Sequence, residues 1–297
     1  MTEAQLRMLV TVADTGGFSP AAVRLSMSQP GVSRAVAALE AELGTALLVR
    51  RNGRAAPTAA GERVLLHARE MLARAEAIRQ EAAASGGECS GRVRLGSFAS
   101  VSAQLLPGIL ATLRVRHPGV EVTLFEGHDE EVRGWVRDRA VDVGVVGRDA
   151  PDLEVQPLAT DRLVAVLPAD HPLAAQTVAA LDQLAAEPFI LSRGGCERLI
   201  LDTFGATGHA PRVAFEVHEV STIVAMVAEG LGVSVVPELS AVAVPPRVAL
   251  RPLSPQVERR LGLAVPSLAE APPGVRALLG VAEVMSQGLD KQGFGMP

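Results

Sequence analysis

The sequence predicts two architectures in one chain: an N-terminal all-α winged helix-turn-helix with a long helix behind it, then an α/β body. Three observations carry this. Residues 1–84 show helical spacing of apolar residues, interrupted by Gly16-Gly17, by Ser caps and by one hairpin signal. From residue 92 onward, short apolar runs alternate with helical patterns, which indicates strand–helix units and largely parallel sheets. Between the two regions, Ser85-Gly86-Gly87-Glu88-Cys89-Ser90-Gly91 is a run of small residues that marks a domain boundary.

The elements follow in order. Leu6, Leu9, Val10 and Ala13 form the inner face of a first helix that Gly16-Gly17 stops. Ser19 is expected to cap a short helix over 20–25, with Pro20 in the first position, where a missing N–H is harmless. Ser26-Met27 is a tight break and Ser28 a second cap. The next helix runs to Leu43, with Val32, Val36, Leu39 and Leu43 spaced four, three and four apart and Val32, Val36 and Leu39 turned inward; Gly44 is placed to end it in the left-handed conformation. Two helices across such a turn form a helix-turn-helix pattern. The outer face of the second helix shows Gln29, Pro30, Ser33, Arg34, Ala37 and Ala38. Its small polar first turn suits a DNA major groove, where Gln pairs with adenine and Arg with guanine. An ordinary surface helix is the plainer alternative.

The segment behind it favours DNA. Leu47-Leu48-Val49 reads as a strand, and Arg50-Arg51-Asn52-Gly53-Arg54 reads as a hairpin tip, since Asn-Gly is a strong type I′ signal. Arg50, Arg51 and Arg54 are then expected to make a wing that meets phosphates; taken alone, a solvated charged turn is the plainer alternative. Thr58 caps a long helix to about residue 84. Val64, Ala68, Met71, Ala75, Ile78 and Ala82 recur by four and three along it, an a/d seam that predicts dimerisation; the alternative is an amphipathic helix packed on its own domain.

Phe18-Ser19-Pro20-Ala21-Ala22, Leu25-Ser26-Met27-Ser28-Gln29-Pro30-Gly31-Val32-Ser33-Arg34, Leu39-Glu40-Ala41-Glu42-Leu43-Gly44 and Pro57-Thr58-Ala59-Ala60-Gly61 occur in that order. Together they resemble the N-terminal domain of LysR-type transcriptional regulators. Leu48 stands where that family usually has Phe, and Pro57 where it usually has Leu. The resemblance implies that Gln29, Pro30, Ser33 and Arg34 face base edges of double-stranded promoter DNA. It further implies a periplasmic-binding-protein-like body of two lobes, a small-molecule effector between them, homodimers or homotetramers, and contact with RNA polymerase. On this reading residues 1–58 form the DNA-binding domain and 59–90 the linker helix and hinge. Residues 91–297 form the regulatory domain, with lobe I over about 91–162 and 266–297 and lobe II over about 163–265. The crossings fall near 161–166 and 261–266. The segment Val227-Ala228-Glu229-Gly230-Leu231-Gly232-Val233 resembles a further signature in lobe II.

Strands are expected at 92–96, 120–125, 141–146, 163–168, 188–191, 213–217 and 233–237. Helices are expected near 102–116, 129–139, 196–206, 221–229 and 273–288. Open α/β sheets bind ligands beyond the carboxyl ends of their strands, where helix N-termini offer unpaired N–H groups. Four loops qualify: 98–102, 127–128, 192–196 and 220–222. By the resemblance, effector contacts fall on Ser100, Ser102, His128, Gly195, Cys196 and Thr222, with Gly147-Arg148 a weaker match. Hydroxyls, free amides and Arg193 suit an anionic small molecule such as a carboxylate. The alternatives are that the hydroxyls only cap helices and that Arg193 sits on the surface.

Composition sets the remaining bounds. The net charge of −5 excludes a uniformly basic nucleic-acid binder, but residues 15–60 carry Arg24, Arg34, Arg50, Arg51 and Arg54 against Glu40 and Glu42, a local basic site. Hydrophobic residues make up 48% and aromatics 3%, so the core must be aliphatic. Two cysteines are too few for a disulfide scaffold. The start of the chain lacks signal-peptide character and no apolar run spans a membrane, so the expectation is a cytoplasmic protein with no membrane partner. The six histidines lack metal-ligand spacing, and neither a Walker A loop nor a complete dinucleotide fingerprint occurs, so no metal, no cofactor and no catalytic residue is expected. Three rival readings stay open: a thiol-based redox sensor of the same family using Cys196, a cytoplasmic solute-binding protein, and an enzyme on an α/β scaffold.

Overall fold

The computed structural model describes residues 1–51, 54–84, 89–147, 150–241 and 244–292; the side chains of Arg50, Arg51, Ala84 and residues 288–292 are outside that description. Asn52-Gly53, residues 85–88 of the boundary segment, and Arg148 also lie outside the described residues.

Helix α1 (Glu3–Thr15) opens with a Thr2/Gln5 capping box and closes on Gly16 at φ 69°. Helix α2 (Phe18–Arg24) starts two residues earlier than expected. Gly17, in extended backbone, is its N-cap, and Ser19 is inside the helix rather than capping it. Pro20 still falls in the first turn, where an absent N–H loses no intrahelical bond. Helix α3 (Gln29–Leu43) matches the reading of its ends: Ser28 Oγ accepts from the Gly31 N–H at 3.3 Å, and Gly44 closes it at φ 68°. Val32, Val36 and Leu39 are buried as expected, and Leu43, at the last position of the helix, is 40% exposed. Strands β1 (Leu48–Arg51) and β2 (Arg54–Pro57) pair antiparallel, with Arg51 opposite Arg54.

Helix α4 (Ala59–Ala84) divides the expected seam into two parts. Val64 and Ala68 join the core of the N-terminal domain beside Leu65, whereas Met71 and Ile78 are 50% and 71% exposed. Further along, α4 lies on the body. Gln80 is buried and its side chain bridges the Arg92 carbonyl and the Gly274 N–H, while Arg74–Glu270 and Arg276–Glu81 ion pairs flank it.

The body holds ten strands in one described sheet system. Strands β3 (Ser90–Ser97), β4 (Gly119–Glu126) and β5 (Val143–Gly147) are parallel, as are β8 (Pro188–Ser192), β9 (Arg212–Val217) and β10 (Val233–Pro237). The expectation of largely parallel sheets holds only for these triplets. Strands β12 (Glu258–Val265) and β6 (Glu154–Pro168) insert antiparallel between them, and β11 (Val248–Ser254) pairs antiparallel with β6 off that path. A two-residue strand, β7 (Ala179–Ala180), pairs with β11. β6 serves both lobes: residues 154–162 pair with β12, and residues 163–168 with β10 and β11. The chain crosses between the two lobes along this strand. The second crossing falls between β11 and β12, at residues 254–258. The expected 261–266 segment is instead paired with β5 inside lobe I, so lobe II ends earlier than 265.

Helices α5 (Ala99–Gln104), α6 (Leu106–Arg116), α7 (Asp129–Arg137), α8 (Leu181–Ala186), α9 (Glu197–Ala206), α10 (Val220–Ala228) and α11 (Pro273–Gln292) cover the sheets. The single helix expected over 102–116 is two, broken at Leu105. Lobe I closes around Leu95, Ile109, Val143, Leu263 and Leu278, so α11 returns to it as expected. Lobe II has an aliphatic layer on each sheet face, one around Leu163, Phe189 and Val235, the other around Val166, Ile223 and Val236. Phe189 and Phe204 meet edge to face at 5.3 Å in the first layer.

Candidate DNA-reading surface and interlobe site

The first site is the outer face of α3 and the hairpin beside it. The inward pull of Val32, Val36 and Leu39 sets the rotation of the helix. Gln29, Pro30, Arg34, Ala37 and Ala38 are then exposed and Ser33 is half-buried. Arg34 lies along its own helix, its Nε donating to the Pro30 carbonyl at 3.3 Å. Arg54 is exposed at the start of β2. Arg50 and Arg51 lie on β1, so the hairpin joins the expected wing residues to the recognition helix through one small core.

The second site lies where the lobes meet. Asp161 and Arg259 are directly opposite each other on the two crossing strands β6 and β12. Asp161 is 3% exposed. Its Oδ2 receives Arg259 Nε at 2.7 Å and Nη2 at 2.6 Å, and its Oδ1 receives the Leu239 N–H at 3.1 Å. The guanidinium then reaches into both lobes. Nη2 donates to Ser100 Oγ at 2.8 Å in α5 of lobe I, and Nη1 lies 3.4 Å from Cys196 Sγ at the start of α9 in lobe II. Its carbon stands 5.3 Å from the centre of the Phe98 ring, a cation–π distance.

Burial pushes the Cys196 thiol above its ordinary pKa; the Arg259 charge opposes that and Asp161 adds to it. A lowered pKa from the helix start, one consideration behind a redox role, is therefore not what this pocket produces. Gly195 has φ 97°, and a side chain there would come within 3.7 Å of His128 Nδ1, so this lobe II loop stands against lobe I. His128 is exposed ahead of α7, with its N–H donating to Glu131 Oε2 at 2.8 Å. Ser102 Oγ is enclosed and, among the described residues, has no hydrogen-bond partner. Thr222 is exposed in the first turn of α10. Arg193 is on the surface of lobe II, paired with Glu197 at 3.0 Å and Glu216 at 3.2 Å.

The structure thus brings together Ser100, Cys196 and, through Gly195, His128. It does not join Ser102, Thr222 or Arg193 to that cluster by any described hydrogen bond. Arg259 and Asp161 organise the cluster, and sequence reasoning did not select either as a site residue. The available signal was a charge beside an apolar strand: Asp161 stands two residues before the buried run 163–167, where an ion needs a partner.

A DNA-reading head on a long helix, joined to two α/β lobes with a charged cluster at their junction, defines a DNA-binding transcriptional regulator with an effector-binding domain. Residues 4–62 match the bacterial regulatory helix-turn-helix protein family, lysR type, and residues 86–285 match the LysR substrate binding domain. The uncharacterized HTH-type regulator YvbU of Bacillus subtilis is 38% identical over 275 residues, covering 91% of this chain and 94% of that protein. The probable regulator LrrA of Synechococcus elongatus is 39% identical over 284 residues, covering 95% and 96%. Among solved structures, a full-length OxyR variant from Pseudomonas aeruginosa superposes with a TM-score of 0.76 at 26% identity, covering 96% of this chain and 98% of that one. The chain belongs to the LysR family of transcriptional regulators, which is not a family of enzymes. Among the described residues no helix is long and apolar enough to cross a membrane.

Proposed function

We propose that this regulator responds to a small molecule with an acidic group, bound between the lobes and received by Arg259. The carrying observation is that one guanidinium touches hydroxyl and thiol groups from both lobes. An incoming carboxylate offers better acceptors than a thiol at 3.4 Å and matches the guanidinium fork. Ser100, Ser102, His128, Gly195, Cys196 and Thr222 then shape the rest of the pocket. Replacing contacts on both lobes at once gives the ligand different affinities for open and closed lobes, which coupling to DNA requires. Residues 1–58 read promoter DNA through Gln29, Pro30, Ser33 and Arg34, with Arg50, Arg51 and Arg54 on phosphates. Residues 59–90 pair two chains into a homodimer through the exposed half of α4, with a homotetramer through the body. RNA polymerase is the downstream partner, and the compartment is the cytoplasm.

The test is a thermal-shift screen of small carboxylates and other anions on the full chain, because a ligand specific to the native state raises apparent stability. A hit must lose its shift in Ser100→Ala and Ser102→Ala variants and must alter DNA binding. A hit indifferent to both variants contradicts the reading.

A second reading makes Cys196 a peroxide-responsive thiol. The similarity to OxyR and the Arg259 contact favour it; burial of the thiol, which disfavours the thiolate, opposes it.

A further inference from the structure

We propose that Glu40 is a positioning residue for DNA recognition: its carboxylate couples the wing to the recognition helix. The proposal rests on the reading that the wing arginines meet phosphates. Glu40 is half-buried near the end of α3. A carboxylate in a DNA-facing domain works against phosphate binding by its charge. This one is turned away from that role, because its Oε1 accepts the N–H of Leu47 at 2.7 Å and of Leu48 at 3.0 Å. Hydrogen bonds to an ionised acceptor are the stronger kind.

Those two amides lie at the entrance to β1. Leu47 is fully buried, and its carbonyl accepts the Thr58 N–H at 2.9 Å. Thr58 Oγ1 donates to the Ala46 carbonyl at 2.8 Å. A side chain on Gly61 would stand 2.0 Å from the Leu47 oxygen, so α4 packs directly on this backbone. Residues 46–48 are therefore held by α4 on one side, and on the other Glu40 ties them to α3. Without the carboxylate, two N–H groups lose their acceptor; the wing keeps its α4 side, the Ala55 N–H bond to the Gly16 carbonyl at 2.9 Å and its core packing, but loses its hydrogen-bonded tie to α3. The angle between Arg34 on α3 and the arginines of β1 and β2 is then set less tightly.

The experiment measures binding of the full chain to a short random-sequence duplex across a salt series, for wild type and for Glu40→Ala, Glu40→Gln and Arg54→Ala. Each phosphate contact contributes about 0.9 to the slope of log affinity against log salt. Glu40→Ala is expected to bind more weakly with a slope shallower by about 2–3, as three wing arginines lose register. Glu40→Gln keeps one neutral acceptor and is expected to fall between Ala and wild type. It also keeps the test open should Glu40→Ala fail to fold, which its circular dichroism would show. Arg54→Ala is expected to shift the slope by about 0.9. If both Glu40 variants bind as tightly as wild type or tighter, with an unchanged or steeper slope, Glu40 acts only as a surface charge and the proposal fails. Should Arg54→Ala shift the slope while the Glu40 variants do not, the proposal fails and the wing reading stands. Should Arg54→Ala also leave it unchanged, both fail.

Discussion

Replacing Asp161 with Ala is the sharpest perturbation of the interlobe junction. The carboxylate is 3% exposed and accepts from Arg259 and from the Leu239 N–H. Removing one partner of a buried ion pair costs about 3–5 kcal/mol, since the other charge stays behind. Arg259 keeps 12% of its side-chain surface exposed, so water reaches it in part and the lower end applies. The orphaned Leu239 N–H adds about 1 kcal/mol. We expect a net loss of about 3–4 kcal/mol, which for a domain of this size lowers Tm by roughly 6–16 °C. Urea unfolding followed by fluorescence reads this cleanly, because Trp135 is the single Trp and there is no Tyr. It packs in lobe I against Gly96 and Gly127. Combining Asp161→Leu with Arg259→Met removes both charges and is expected to recover most of the loss. A loss below about 1 kcal/mol for Asp161→Ala, or a double variant as weak as the single one, would refute the account of a buried pair holding the junction.

Arg34→Ala is expected to weaken binding to a selected operator by about 1–3 kcal/mol and to relax preference at one base pair, read by competition with operator variants; uniform weakening across variants would assign Arg34 to phosphate instead. Burial raises the Glu238 pKa, with Asp161 adding to it and Arg162 opposing. A carboxyl that binds its proton more tightly in the folded state destabilises the fold once pH exceeds its folded pKa, and has no effect below its unfolded one. Glu238→Gln is therefore expected to be more stable than wild type at pH 7, with the advantage vanishing in acid, as thermal melts across pH will show. For Cys196, the raised pKa predicts slow alkylation at neutral pH in the native state and fast alkylation after unfolding. Native reaction at the rate of a small free thiol would contradict the burial argument.

What the sequence made legible was local. Ser28 and Gly44 bracket α3 through cap chemistry that involves only their own neighbours, and the parallel strands of the body are short aliphatic runs. The failures have physical causes too. Ser19-Pro20 carries the helix-start signal, but the extended Gly17 is the N-cap and the helix begins at Phe18. The first half of β6 contains Pro157, Asp161 and Arg162 and is half-exposed, so no apolar run announced it. β11 contains Arg251 and Pro252, and β12 begins Glu258-Arg259-Arg260, so neither read as a strand. Ser100 and Cys196 were legible as loop positions, but the residue that joins them was not. Arg259 stands 98 residues from Asp161 and 159 from Ser100, and only the pairing of two crossing strands brings them together.

The return of α11 to lobe I has a consequence for how the chain is made. The core around Leu95 and Ile109 also contains Leu261, Leu263, Val275 and Leu278, so it stays incomplete until β12 and α11 have been made. Among the described residues, the buried layers of lobe II draw on residues between Leu163 and Leu253, with Val257 packed against them. The nested lobe therefore has all its parts while its host still lacks a helix and a strand, and in synthesis the inner unit matures first. A stalled or truncated chain ending before Pro273 carries a finished lobe II and a lobe I with open apolar surface, a natural target for chaperones.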